Sequence, residues 1–148
     1  MHLEVDQSVK MEQSGDTTLA YSNDKQKAIL IPAAVKRDVM NCLRREGKND
    51  KTAILLMFAA GLFLLLRDVI AQANLVIIDQ EYEGNEGIIK NRLLQMLRAD
   101  GRNISPDTLV FGNVGRHSQA HHLAMITGRR QTPPAHRVTL VEMLRAIE

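Results

Sequence analysis

Leu3-Glu4-Val5-Asp6-Gln7-Ser8-Val9-Lys10-Met11 alternates apolar and polar side chains, with Gln7 the one polar residue on the apolar side. A period of two places Leu3, Val5, Val9 and Met11 on one face of an extended chain and Glu4, Asp6, Ser8 and Lys10 on the other. Residues 3–11 therefore read as a half-buried strand. Gln13-Ser14-Gly15-Asp16 is a turn, and Thr17–Ser22 reads as a second strand. Asn23-Asp24-Lys25-Gln26 turns again into Ala28-Ile29-Leu30-Ile31, a third strand that stops at Pro32. Three consecutive strands joined by short turns predict an antiparallel meander.

Downstream the period changes. Ala33–Arg45 carries Val35, Val39, Met40 and Leu43 at helical spacing, and Asp50 can cap a following helix from Lys51 to about Ala71. Within that helix Ala53–Leu66 is fourteen residues without a polar side chain. A bilayer needs about 20 apolar residues, so this segment reads as a core helix and no membrane partner is expected. A domain of this size has limited surface with which to enclose such a helix, so a second subunit, as a homodimer, is expected to cover part of it. Leu75-Val76-Ile77-Ile78 is an apolar run suited to a buried central strand, with Asp79 where it emerges. Asn85 is expected to cap a helix with Ile88, Ile89, Leu93, Leu94 and Leu97 on one side. Leu109-Val110-Phe111 is a fifth strand, Ser118–Arg129 a helix, and Thr139-x-x-Glu142 a capping box that opens a last helix. The order predicts one α/β domain spanning residues 1–148: a mixed five-stranded sheet, a meander followed by βαβα, flanked by helices.

Composition narrows the function classes. The chain has 148 residues, 45% apolar and 24% charged, ordinary for a globular fold with a sizeable core. Residues 1–90 carry 11 Lys/Arg against 13 Asp/Glu, whereas residues 91–148 carry eight Arg, no Lys and four acids. The basic half suggests a polyanion partner. Aromatic residues are 3% with no Trp, which disfavours a stacking surface for single-stranded RNA. Cys42 is alone, which excludes an internal disulfide and a multi-cysteine zinc site. Met1-His2-Leu3-Glu4-Val5-Asp6 has neither a basic stretch nor an apolar run, so export is not expected and the compartment reads as cytoplasmic.

The element order, with one acid inside the first strand and another at the end of the fourth, resembles the ribonuclease H-like fold of nucleases, integrases and Holliday-junction resolvases. Glu4-Val5-Asp6-Gln7-Ser8-Val9-Lys10-Met11-Glu12 is similar to that family's first strand, whose Asp binds metal. Leu75–Ile78 followed by Asp79 is similar to its fourth strand and second carboxylate. Gly115-Arg116-His117-Ser118-Gln119-Ala120-His121-His122-Leu123-Ala124 is similar to its last-helix motif, where resolvase-type members place further acids or a His. Lys51–Arg67 lacks the acid that ribonuclease H proper carries in its first long helix, so the match is to the resolvase-like branch.

The resemblance implies a hydrolase of nucleic-acid phosphodiesters that uses Mg2+ or Mn2+. Two such ions, about 4 Å apart, activate water and stabilise the leaving oxygen. Asp6, Asp79, Glu81 and His121 would be the metal ligands, with His121 or His122 in the place of the last-helix acid. Imidazole there would favour manganese. A non-catalytic nucleic-acid- or protein-binding member of the same fold is the alternative.

Each candidate also has a plain reading. Asp6 could sit on an exposed strand face and Asp79 could merely end its strand. Glu81 and Glu83 would share the face of Asp79 if the strand continued, or be solvated loop acids. His117, His121 and His122 fall within six residues, and on a helix begun at Ser118 the pair His117/His121 has the i, i+4 spacing of a shared ion; phosphate contact or simple surface placement remain open. Ser118 suits an N-cap better than a nucleophile. Arg116, Arg129, Arg130 and Arg137, with His117, suit phosphate contacts, or are a solvated face.

Overall fold

The N-terminal alternation becomes strand β1, His2–Ser8, the middle of a sheet. The computed structural model describes residues 1–148. β2 (Thr17–Ser22) pairs antiparallel with β1, placing Asp6 opposite Ala20, and β3 (Gln26–Ile31) pairs antiparallel with β2. β4 (Leu75–Asp79) lies on the other side of β1 and parallel to it, Val5 beside Ile78, and β5 (Leu109–Gly112) continues in parallel beyond β4. The expected meander and the parallel placement of residues 75–79 beside the first strand are both present.

Two strand expectations need correction. The sheet has six strands, in the order β5-β4-β1-β2-β3-β6, because His136–Arg137 forms a short β6 parallel to β3. Two exposed residues carry no periodicity, so nothing local announces them. The first strand also stops at Ser8 and not Met11. Val9 has φ of 65°, which turns the chain out of the ladder, and Met11 is buried by the loop folding back.

Helices α1 (Ala33–Arg45), α2 (Asp50–Leu66), α3 (Glu86–Ala99) and α5 (Leu140–Ile147) cover one face of the sheet, while α4 (Gln119–Gly128) lies alone on the other. α2 starts one residue earlier than expected: Asn49 is the cap, its side chain accepting from the Thr52 N–H, and Asp50 instead pairs with Arg44 at 2.9 Å. α2 also ends at Leu66, with a separate 3-10 turn at Ile70–Gln72. Asn85 takes the expected N-cap position of α3, but its side chain makes no capping hydrogen bond. Thr139 and Glu142 form the expected capping box of α5.

Every residue of α2 from Leu55 to Leu66 is buried, between the sheet on one side and α1, α3 and α5 on the others. Gly61 permits this depth, because a Cβ there would stand 2.6 Å from Leu19 Cδ1 and 3.1 Å from Ile31 Cδ1. The chain thus encloses its most apolar helix by itself, and the reason for expecting a second subunit over Ala53–Leu66 falls away. No helix of the protein is long and apolar enough to cross a membrane.

Candidate metal centre

Parallel pairing of β1 with β4 ends at Val5 and Ile78, and Asp6 and Asp79 are the next residue of each strand, so alternation turns both to the face opposite α2. They are 73 positions apart in the sequence. Asp6 is 5% exposed, and its Oδ1 accepts from the Gln7 N–H at 2.8 Å. Asp79 is half-buried at the carboxyl end of its strand, where ligand sites of open parallel sheets lie, and its Oδ1 accepts from the Val114 N–H at 2.9 Å. Glu81 joins them from the loop after β4. One carboxylate oxygen from each of Asp6, Asp79 and Glu81 lies within 4.8 Å of the others.

Three acids this close cannot all be charged without a counter-charge. Burial, a hydrogen bond that protonated Glu81 donates to Asp79, and the charges of Asp79 and Asp6 push Glu81 up to about 8, against a partial pull downward from Lys10. Burial and the neighbouring acids thus favour the protonated form of Glu81. Asp6 is also held above the usual carboxylate range, chiefly by burial, with hydrogen bonds from His121 and the Gln7 N–H opposing the rise.

The second element of the site comes from α4. The sheet beneath this helix is lined with Ala20 and Ala28, which pack against Ala124, and the Thr18 hydroxyl donates to the Ala124 carbonyl at 2.7 Å. A Cβ on Gly128 would sit 3.3 Å from Thr18 Oγ1 and 3.4 Å from Ser8 Oγ, so small residues let the helix lie close. Ser118 caps the helix by accepting from the Ala120 N–H and donates its own hydroxyl proton to Glu4 at 3.1 Å. This seating brings His121 Nδ1 to 2.7 Å from Asp6 Oδ2.

The remaining candidates are placed differently. His122 follows His121 by 100° around the helix, is exposed, and is not brought to the carboxylates. The expected i, i+4 pairing of His117 with His121 does not arise. The helix begins at Gln119, so His117 precedes the cap and lies off the helical face. His117 instead lines an open polar cavity of about 500 Å³ with His2, Glu4, Asn23 and Gln119. Glu83 is exposed and away from the cluster, because β4 ends at Asp79 and Glu81 returns by a turn and not by strand alternation. Arg116 precedes α4, while Arg129 and Arg130 follow it; all three are exposed, as is Arg137 in β6. Lys10, read from the sequence as one more polar strand residue, lies beside Glu81, its Nζ 3.2 Å from the Glu81 carbonyl oxygen. The departure of the chain at Val9 puts it there, and no sequence period encodes that.

Comparison of the chain with protein-family models, with curated proteins and with solved structures finds no match.

Proposed function

We propose that the protein is a divalent-metal-dependent nuclease of the resolvase-like branch of the ribonuclease H-like superfamily. The observation that carries this reading is the convergence of Asp6, Asp79 and Glu81 within 4.8 Å at the ends of adjacent parallel strands. The strand order β5-β4-β1-β2-β3, with only β2 antiparallel to its neighbours, agrees with that superfamily; β6 is an addition at the far edge.

The donor set fits a hard divalent ion. All three convergent groups are carboxylates, the ligands Mg2+ and Mn2+ prefer, and an ion among them would offset the crowding that raises Glu81. Asp6, Asp79 and Glu81 would hold the metal, and His121 would support Asp6 through Nδ1 while its Nε2 remains free for metal or water. When bound, the metal supplies an acidic water and a positive charge on the phosphate oxygens. The chain does the rest. Asp6 and Asp79 are fixed by the Gln7 and Val114 N–H groups, so the site is organised before substrate arrives. Arg116 on one side of α4 and Arg129 and Arg130 on the other would bind backbone phosphates of DNA or RNA flanking the scissile bond.

The test is cleavage of branched, duplex, hybrid and single-stranded substrates in Mg2+ and in Mn2+. Wild type is expected to cleave at least one class, and Asp6→Asn to lose cleavage by at least about 1,000-fold while still binding nucleic acid, because the metal site and the Arg surface are separate. Retained cleavage in Asp6→Asn would refute the assigned site. Binding of nucleic acid by wild type with no cleavage in either metal would instead favour a non-catalytic binding protein.

A further inference from the structure

Lys10 Nζ lies 4.0 Å from Glu81 Oε2 and 5.8 Å from the centre of the Tyr82 ring, in addition to its hydrogen bond with the Glu81 carbonyl. The side chain is 41% exposed, so a ligand approaching the carboxylates from solvent can reach the ammonium. Of its three N–H donors, one has a close protein acceptor. A surface lysine on a free turn would sample many positions, but the backbone bearing this one is fixed on every side. Val9, immediately before it, is a β-branched residue at φ of 65°, a costly left-handed conformation. The Lys10 N–H donates to Gln13 Oε1 at 2.9 Å, and its carbonyl accepts from the Gln13 N–H at 3.0 Å. The Met11 N–H donates to the Tyr82 hydroxyl at 3.1 Å, tying the turn to the residue after Glu81.

Beneath the turn lies a second lysine. Lys36 on α1 is 5% exposed, and its Nζ donates to the Gln13 carbonyl at 2.8 Å, to Thr17 Oγ1 at 2.9 Å and to the Lys10 carbonyl at 3.4 Å. None of these partners is a carboxylate. Withdrawing an ammonium from water to hold three neutral oxygens is a costly way to fasten a surface turn, and its structural result is to fix where Lys10 leaves the backbone.

We propose that Lys10 is a catalytic residue of the carboxylate centre, its ammonium contacting a non-bridging oxygen of the phosphodiester, and that Lys36 is the positioning residue that holds it there. The proposal rests on the nuclease reading above. In hydrolysis the bond from the water oxygen to phosphorus forms as the bond to the leaving sugar oxygen breaks. One water proton ends on the leaving oxygen and the other in solvent. Lys10 keeps its own proton throughout and neutralises charge that builds on the phosphoryl oxygens.

The experiment uses the full chain with Lys10→Met, Lys10→Arg, Lys36→Met and the Lys10→Met/Lys36→Met pair. Mn2+ affinity is measured by calorimetry, and kcat and KM on the substrate that wild type cleaves best. Lys10→Met should lower kcat about 100-fold with KM changed less than about threefold, and Lys10→Arg should recover about tenfold of the loss. Lys10→Met should bind Mn2+ at least as tightly as wild type, because a positive charge beside the carboxylates is gone. Lys36→Met should lower kcat when Lys10 is present and change it by less than about twofold when Lys10 is already Met; a merely structural role would add in both backgrounds. Lys10 is a surface residue, so its variants carry the test even if Lys36→Met fails to fold. Unchanged kcat in Lys10→Met, or weakened Mn2+ binding, overturns the role of Lys10 alone. Wild type that binds Mn2+ and cleaves nothing overturns the nuclease reading and the role of Lys10 with it.

Discussion

Toward α2 the sheet presents Leu3, Val5, Leu19, Ile29, Ile31 and Ile78, none more than 1% exposed; toward α4 the same strands present Glu4, Asp6, Thr18, Ala20, Ala28 and Asp79. The first face is packed with branched aliphatic side chains under four helices. The second carries small and ionisable groups, with Leu30 and Ile77 among them, under one short helix. Strand alternation makes this division possible, since a single strand can give one face to cohesion and the other to chemistry. The first face supplies the apolar burial that stabilises the fold, and the second can hold carboxylates that repel one another because the first keeps the strands in place. Polar groups on the apolar side include Thr17, which receives the Lys36 ammonium, and Gln7, buried with neither amide atom hydrogen-bonded.

The largest effect is expected on the apolar face. Leu62 on α2 is fully buried, and Leu62→Ala should destabilise the protein by about 2–5 kcal/mol through the cavity it leaves. Denaturant unfolding should register that loss, while Mn2+ affinity of the folded protein stays within about twofold, the altered face being remote from the carboxylates. A large change in metal affinity would show that the two faces are not independent.

A second effect should come from the acids themselves. Glu81 is raised from 4.5 to about 8 in the folded chain, so between those values the native state binds a proton that the unfolded chain does not. Metal-free stability should therefore be fully present below about pH 4.5 as far as this group is concerned, and fall as pH rises toward 8. Asp6, also raised, acts in the same direction at lower pH. Melting temperature between pH 5 and 8 should decline without metal, decline less in Glu81→Gln, and recover when Mn2+ is added. A flat profile in the metal-free wild type would contradict the crowding of the three acids.

The smallest expected change lies at the rim. Arg129→Ala should leave stability unaltered and weaken nucleic-acid binding equally for all sequences, lowering the slope of log K on log salt by about 0.9 for duplex DNA. Filter binding across a salt series measures this, and an unchanged slope would remove Arg129 from the interface.

Much of this architecture is legible in the residues because the cues are local. Thr17–Ser22 and Ala33–Arg45 have the bounds their periods predict, and the apolar Leu75–Ile78 run takes the central parallel position. The capping box at Thr139 needs only two residues three apart to be recognised. Of the site, Asp6 and Asp79 could be singled out at strand positions, and His121 by its helix. The choice of His121 over His122 depends on how deeply α4 settles on Ala20 and Ala28, a matter of tertiary packing. The return of Glu81, the departure of the chain at Val9 and the fastening of Lys10 by Lys36 all arise in irregular segments, where no repeating pattern exists to be read.

The pairing of β1 with β4 also sets an order of events. Val5 meets Ile78 only after the intervening chain has closed on itself, and closing a loop costs entropy that grows as about (3/2)RT ln n with its length n. α1 and α2 lie within that loop and can form from nearby contacts first, whereas Asp6 and Asp79 come together only as β4 docks. The carboxylate cluster is therefore absent while the chain is collapsing. Folding must bring three acids together, and it does so with His121 beside Asp6 and Lys10 beside Glu81.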